Sequence, residues 1–324
     1  MTDKTIRWGM IGCGSVTEAK SAPAYQFVDG FELVAVMCRH LEKAMDYADR
    51  HNVPKYYCDA MALINDEDVD AVYIATPPDS HLKYSLMVAE AGKICCVEKP
   101  MAVCYNDAFK MLHAFKSRNL KLFVAYYRRC LPRFVQVKQW LDDGEIGDVR
   151  CVNWAFSKPA SSIDTSGEYN WRTDAEIAPG GYFDDLASHG LDLIVYFLGN
   201  IKKVAGFAEN QCELYTAKDA FVANWVHESG VTGGGNWNFN CGTSKDRLEI
   251  LGNKGSITLS VFHDGPCVLE TNGIEKDVFI ENPNPVQLPF VKMMRDDLFG
   301  NACHVSQGDS GCHTSWVMSE ILGG

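Results

Sequence analysis

Asp185, His189 and Asp192 are spaced at i, i+4 and i+7, which puts them on one stripe of a helix. Imidazole titrates near neutral pH, so His189 can take or return the proton of a hydroxyl, with Asp185 orienting it or binding another hydroxyl. The apolar residues Phe183, Leu186, Leu193, Ile194 and Phe197 form a separate face. The spacing alone fits equally an Asp–His pair on a solvated face. A second group is Glu98-Lys99-Pro100, directly after the apolar run Ile94–Val97. Ligands of open α/β sheets bind at the carboxyl ends of strands. A lysine there can set an ammonium beside a substrate oxygen and stabilise an alkoxide, with Glu98 holding it in place. An ordinary surface ion pair fits the tripeptide as well.

A third group is Gly9-Met10-Ile11-Gly12-Cys13-Gly14-Ser15-Val16-Thr17, which leads from a strand pattern into a helix. Gly12 suits a tight turn, and Gly14 lets the backbone approach a pyrophosphate. The helix start at Ser15 and Val16 offers free N–H groups and a positive dipole end. Thr17 stands where the third glycine of the fingerprint belongs, so the fingerprint is incomplete. At the first strand of a repeated β/α pattern it reads as a dinucleotide site, where a small uncharged Cys13 is tolerable. The next strand ends at Met37-Cys38-Arg39-His40. NAD enzymes usually place a carboxylate there for the ribose 2′-hydroxyl, and none is present. Arg39 can pair with a 2′-phosphate and stack on adenine, which favours NADP(H) and leaves NAD(H) as the alternative.

These groups need elements to hold them. The first third of the chain alternates apolar runs (Ile6–Ile11, Leu33–Met37, Ala71–Ala75, Ile94–Val97, Leu120–Ala125) with helical stretches such as Leu41–His51 and Ser80–Ala91. That alternation predicts a parallel sheet covered on both faces. Asp79 is placed to cap the second of those helices. After Ala125 come a helix (Phe134–Leu141), a strand (Val149–Phe156), a long polar loop, and a helix over Tyr182–Leu198. Strand-like runs follow at Phe221–His227, Asn236–Phe239, Arg247–Leu251, Ser256–Phe262, Val268–Thr271 and Val278–Glu281, then helices at Phe290–Phe299 and Thr314–Leu322. The successive runs predict a mainly antiparallel sheet. The expected division is residues 1–125 and 126–324.

Composition sets bounds on function. In 324 residues, a hydrophobic share of 47% excludes a disordered chain, and a net charge of −12 argues against nucleic acid or an anionic membrane as partner. The thirteen cysteines are scattered without metal-site spacing, so no metal is expected. Free thiols, no signal-peptide pattern and no long apolar stretch lead to the expectation of a cytoplasmic protein.

Taken in order, Gly9 to Val16, Ala75-Thr76-Pro77-Pro78 with His81, Glu98-Lys99-Pro100, and Gly180-Gly181 with Asp185, His189 and Asp192 resemble the glucose–fructose oxidoreductase/inositol dehydrogenase/rhizopine-catabolism family (Gfo/Idh/MocA). The resemblance implies an α/β Rossmann domain plus an α+β domain with a large open, mainly antiparallel sheet. It implies hydride transfer between nicotinamide and a sugar, cyclitol or related carbon. Lys99 would stand by the reacting oxygen, His189 would be the general acid or base, and Asp185 would bind substrate. Ala75, Thr76, Pro77 and His81 would line the nicotinamide side, with Glu98 beside them. Tyr127 and Arg128 match a segment that faces cofactor or substrate, and Trp171-Arg172 a pair near the cleft. Core packing for the two aromatics and solvated charge for the two arginines fit those four as well. Two other readings share the resemblance: redox-assisted glycoside cleavage and a non-catalytic cofactor-binding regulator. Family members commonly pair through the exposed face of the second sheet. Phe221–His227 and Ser256–Phe262 carry apolar residues at both parities, so they are expected to be covered on both faces, by a second copy in a homodimer or homotetramer or by helices of the same chain.

Overall fold

The computed structural model describes residues 5–323. The chain divides into two compact units, both discontinuous in sequence. The first comprises the chain up to Ala102, Asn106–Leu131 and Pro283–Cys312. The second comprises Val103–Tyr105, Pro132–Asn282 and the chain from His313. The sequence suggested a single boundary near Ala125. The difference has a packing cause: helix Leu288–Leu298 places Phe290, Val291 and Met294 in the same apolar cluster as Trp8, Tyr25 and Tyr73 of the first unit.

The first unit is built on β1 (Ile6–Ile11), β2 (Phe31–Met37), β3 (Lys55–Tyr57), β4 (Ala71–Ile74), β5 (Ile94–Val97) and β6 (Leu122–Val124). All pair in parallel, in the order β3-β2-β1-β4-β5-β6. This is the Rossmann order, with the strand order reversing between β1 and β4. Alternate residues of each strand enter opposite clusters: Met10, Tyr73 and Cys96 on one face, Ile11, Ile74 and Val97 on the other. Two-sided burial explains why these strands read as continuous apolar runs. Asp79 does not cap the helix His81–Glu90. It lies in the 3₁₀ turn Pro78–Ser80, and Ser80 occupies the cap position without a side-chain bond to the helix.

The second unit carries β7 (Val149–Ser157), β8 (Ile201–Glu209), β9 (Ala220–His227), β10 (Thr232–Asn238), β11 (Lys245–Gly252), β12 (Gly255–Leu259), β13 (Cys267–Thr271) and β14 (Ile274–Val278). Their order is β14-β13-β12-β11-β7-β10-β9-β8, antiparallel except for the parallel pair β7–β10. Val278–Glu281 is therefore mostly outside the last strand, and β8 was not foreseen. The expectation of two-sided coverage fails for this chain alone. In β9, Phe221, Ala223 and Trp225 are buried while Val222 and Asn224 are exposed. On this outer face Phe207 of β8 is 76% exposed. Among the described residues, no helix is long and apolar enough to cross a membrane.

Helix Ser188–Leu198 lies close on the inner face of this sheet. A Cβ at Gly190 would stand 2.2–2.7 Å from three ring atoms of Trp154, whose indole N–H is held by Asp246 at 3.0 Å. Gly190→Ala is expected to destabilise the protein, because overpacking costs about 1–3 kcal/mol and helix propensity returns about 1 kcal/mol at most. Urea denaturation measures this, and unchanged stability would show that the contact is not tight.

Candidate functional site

In the first unit, the turn after β1 is fixed by backbone geometry. Gly12 has φ +109°, its N–H bonds the Met37 carbonyl at 2.8 Å, and a Cβ there would lie 2.6 Å from the Ala75 carbonyl oxygen. Only glycine fits on either count. Gly14 is different: its Cβ position is open, and helix Ser15–Ala19 behind it starts without a side-chain cap. Its first N–H groups and an open approach suit an anion, so the turn fits a dinucleotide pyrophosphate. Thr17 is buried and its hydroxyl donates to the Gly14 carbonyl at 2.8 Å, closing the loop where the third glycine is missing. Cys13 points its thiol into the core toward the Met37 carbonyl, and burial pushes it up to about 12. Its backbone alone is left for a ligand. Ser15 is exposed and Val16 half-buried. At the end of β2, Cys38 is half-buried, while Arg39 and His40 are exposed.

The turns after β4 and β5 are tied together from below. His81 is fully buried, its two ring nitrogens 2.8 Å from the Thr76 carbonyl and 3.0 Å from the Pro100 carbonyl. Burial lowers its pKa against those two backbone bonds. The ring is thus a clip between two turns rather than a surface presented to a ligand. Ala75 and Pro77 frame Thr76, whose hydroxyl meets that of Ser80 at 2.7 Å. Glu98 is 6% exposed, which rules out an ordinary surface pair. Its Oε1 accepts from the Tyr73 hydroxyl at 2.6 Å and from Gln287 Nε2 at 3.0 Å, and its Oε2 accepts the Lys99 N–H at 3.3 Å. Glu98 therefore holds Lys99 by its backbone. Tyr127 and Arg128 follow β6 in a 3₁₀ turn, with the guanidinium 5.6 Å from the Tyr127 ring centroid.

In the second unit, the expected helix over Tyr182–Leu198 opens with a π-helical turn, Phe183–Ala187, before the α-helix Ser188–Leu198. Asp185 sits on the wide turn and accepts from Arg172 Nε at 2.9 Å; that guanidinium lies 4.4 Å over the Trp171 ring. Arg172, expected near a cofactor, spends its Nε on Asp185. His189 and Asp192 are 4% and 1% exposed, so the stripe is not a solvated face. Asp192 accepts from the Thr314 hydroxyl at 3.1 Å. Asp184, beside Asp185, is buried and accepts the Gly180 N–H at 2.8 Å, fixing the entry to the π turn.

Several residues of these sites carried no signal in sequence. Tyr73 was part of an apolar run, and Gln287 lies 189 positions from its partner. The loop before Gly180 is ordered by a capping box, Ser161 with Asp164, and by the Tyr182 hydroxyl, which donates to Asp164 at 2.7 Å. The capping-box residues Ser161 and Asp164 are the one readable sign of that order.

Residues 6–126 match the oxidoreductase family with an NAD-binding Rossmann fold, and residues 134–258 match the GFO/IDH/MocA C-terminal domain. "Oxidoreductase P35" of Formosa agariphila is 38% identical over 292 residues, 90% of each chain. The trans-1,2-dihydrobenzene-1,2-diol dehydrogenase of Bos taurus is 28% identical over 288 residues, 86% of this chain and 80% of that one. Levoglucosan dehydrogenase in complex with NADH superposes with a TM-score of 0.89 over 98% of this chain and 96% of that one, at 20% identity.

Asp184 yields a test of the second unit. Burial, with Asp185 adding to it, pushes its carboxyl from 3.8 up to about 7, against the Gly180 bond. Between those values the folded chain holds a proton that the unfolded chain has released. Stability contributed by this group therefore falls as pH rises from 3.8 to about 7 and stays low above. Asp184→Asn is expected to gain stability over the parent progressively across that window. Melting curves at acid and mildly alkaline pH measure it, and a difference that does not change with pH contradicts the assignment.

Proposed function

This chain belongs to the GFO/IDH/MocA oxidoreductase family, and from that premise we propose that it is an NAD(P)-dependent dehydrogenase or reductase acting on a CH–OH carbon of a sugar, cyclitol or related polyol. The observation that carries the reading is the buried Tyr73–Glu98–Gln287 clamp beneath Lys99. A carboxylate is buried there at considerable cost, and what it secures is the backbone of a lysine at a strand's carboxyl end.

The Gly12–Val16 turn would hold the pyrophosphate on backbone N–H groups, with Thr76 and Pro77 toward the nicotinamide end. Arg39, exposed and without a side-chain partner among the described residues, supports a 2′-phosphate and hence NADP(H). When bound, the nicotinamide takes or gives the hydride. Lys99 stabilises the alkoxide that forms as the hydroxyl proton leaves, and His189 accepts or returns that proton. Asp185, steadied by Arg172, binds a substrate hydroxyl. Trp171 and Tyr127 supply apolar surface for the sugar ring.

Lys99→Ala and His189→Ala should each lower kcat by about 10²–10⁴-fold while the Kd for cofactor stays within error. Arg39→Ala should weaken NADP(H) at least about tenfold and leave NAD(H) nearly unchanged. Steady-state kinetics on a polyol panel, with cofactor titrations, decide both. Wild-type turnover in the Lys99 and His189 variants would end the catalytic assignment. Release of an aglycone without net cofactor turnover would favour glycoside cleavage instead. The exposed Phe207 and Val222 on the outer sheet face support pairing with a second copy. Light-scattering chromatography of Phe207→Glu should then report a smaller species than the parent, and two equal masses would remove that support.

A further inference from the structure

One cation of the second unit has no part in this chemistry. Lys158 follows β7 directly, and its backbone is fixed on both sides: its N–H donates to the Asn238 carbonyl at 3.0 Å, and its carbonyl accepts from Cys241 N at 3.2 Å. Its Nζ stands 4.0 Å from the centroid of the Tyr182 ring. That ring is itself immobilised, because its hydroxyl is bound to Asp164 at 2.7 Å, Ser161 at 3.0 Å and Asn170 at 3.1 Å. Tyr182 lies three residues before Asp185 in the turn that opens the π helix.

Among the described residues, no acceptor lies within hydrogen-bond or ion-pair distance of the Lys158 ammonium. The carboxylates that act on it through space are Asp164 and Asp185. Both are engaged elsewhere: Asp164 by Ser161, Tyr182 and Asn170, and Asp185 by Arg172. Burial lowers the Lys158 pKa, with those two carboxylates opposing. A half-buried ammonium that rests on a ring face with its three donors unmatched is costly until an acceptor arrives. A neutral hydroxyl returns only part of that cost. A carboxylate forms a charge-assisted bond about twice as strong; of the two carboxylates already near, Asp185 is paired to Arg172 and Asp164 is held by the Ser161 and Tyr182 hydroxyls and the Asn170 amide.

We infer that Lys158 is a specificity-determining residue that binds a carboxylate of the substrate, so that the polyol is a sugar acid rather than a neutral sugar. This rests on the dehydrogenase reading above for what happens to the ligand, though not for its binding.

Isothermal titration of the full chain, saturated with NADPH or NADH, gives Kd for D-glucuronate, D-galacturonate, D-glucose and D-galactose. At least one acid should bind about tenfold tighter than its parent sugar. Lys158→Met should abolish that preference while leaving the parent sugar's Kd unchanged, and Lys158→Arg should restore part of it. Circular dichroism and an unchanged cofactor Kd confirm that the variants fold. Equal Kd values for acid and sugar, no binding of either acid, a preference that survives Lys158→Met, or an equal loss for acid and sugar would each overturn the inference. Nicotinamide absorbance of the same four ligands, mixed with NAD(P)+ for oxidation and with NAD(P)H for reduction, separates the two readings. Acid preference without oxidation or reduction of cofactor sinks the dehydrogenase and leaves the carboxylate site standing.

Discussion

The Glu98 carboxylate is the constraint around which the first unit is arranged. A charge withdrawn from water must be met by donors, and each donor must be brought from somewhere. Tyr73 comes from the neighbouring strand, Lys99 N–H from the following residue, and Gln287 from a segment that returns after Pro132–Asn282 of the second unit. Burial and the adjacent Glu98 charge hold the Tyr73 phenol well above its ordinary pKa, so it remains a donor. Its ring stacks on Tyr25 at 5.1 Å, and Tyr25 packs edge-on against Trp8 at 4.9 Å. The polar clamp and the apolar cluster therefore support each other: helix Leu288–Leu298 buries Phe290 in that cluster and delivers Gln287 at its own start. Loosening either would loosen the turn that carries Lys99.

The glycine turn obeys a different logic. It works through backbone, so side-chain identity matters mainly for what it excludes. Gly12 is required by a positive φ and by contact with the Ala75 carbonyl, whereas Gly14 leaves open space in front of an uncapped helix start. Thr17 departs from the fingerprint without cost because its hydroxyl finds the Gly14 carbonyl, and Tyr47 donates to the Thr17 carbonyl at 2.8 Å. Cys13 is accommodated by turning inward. A loop of this kind tolerates sequence change wherever a side chain can satisfy itself locally, which is why an incomplete motif still forms the turn.

The legible parts of the fold share a physical cause. Strands buried on both faces are apolar at nearly every position, Arg7 of β1 being the exception, so β1, β4 and β5 stand out in the sequence to within a residue. β3 has three residues, none of them fully buried, and leaves no such trace. β8 alternates exposed and half-buried positions at the edge of its sheet and contains Lys202 and Lys203, so it resembles a loop. The spacing of Asp185 and His189 is legible as a helical stripe, yet the π turn between Phe183 and Ala187 has no periodicity of its own to read. Gln287 and Lys158 were missed because their significance lies in partners far along the chain or in the lack of any, and neither is a property of local pattern.

The two units therefore hold their chemistry in different ways. In the first, the turns at the ends of a parallel sheet are fixed in their backbone, by Gly12 itself and by the buried side chains of Glu98 and His81. The second relies on side chains: Arg172 on Asp185, Thr314 on Asp192, and Asp164 on Tyr182. Its one rigid reference is the helix Ser188–Leu198, drawn onto Trp154 by the absence of a side chain at Gly190. The loop from Lys158 to Pro179 is pinned to that reference by the Tyr182 hydroxyl, at a few points and without a sheet ladder. Such a loop can change its ligand-facing residues without disturbing the helix. Lys158, anchored at a strand end and resting on an immobilised ring, stands where the sheet of the second unit meets that loop.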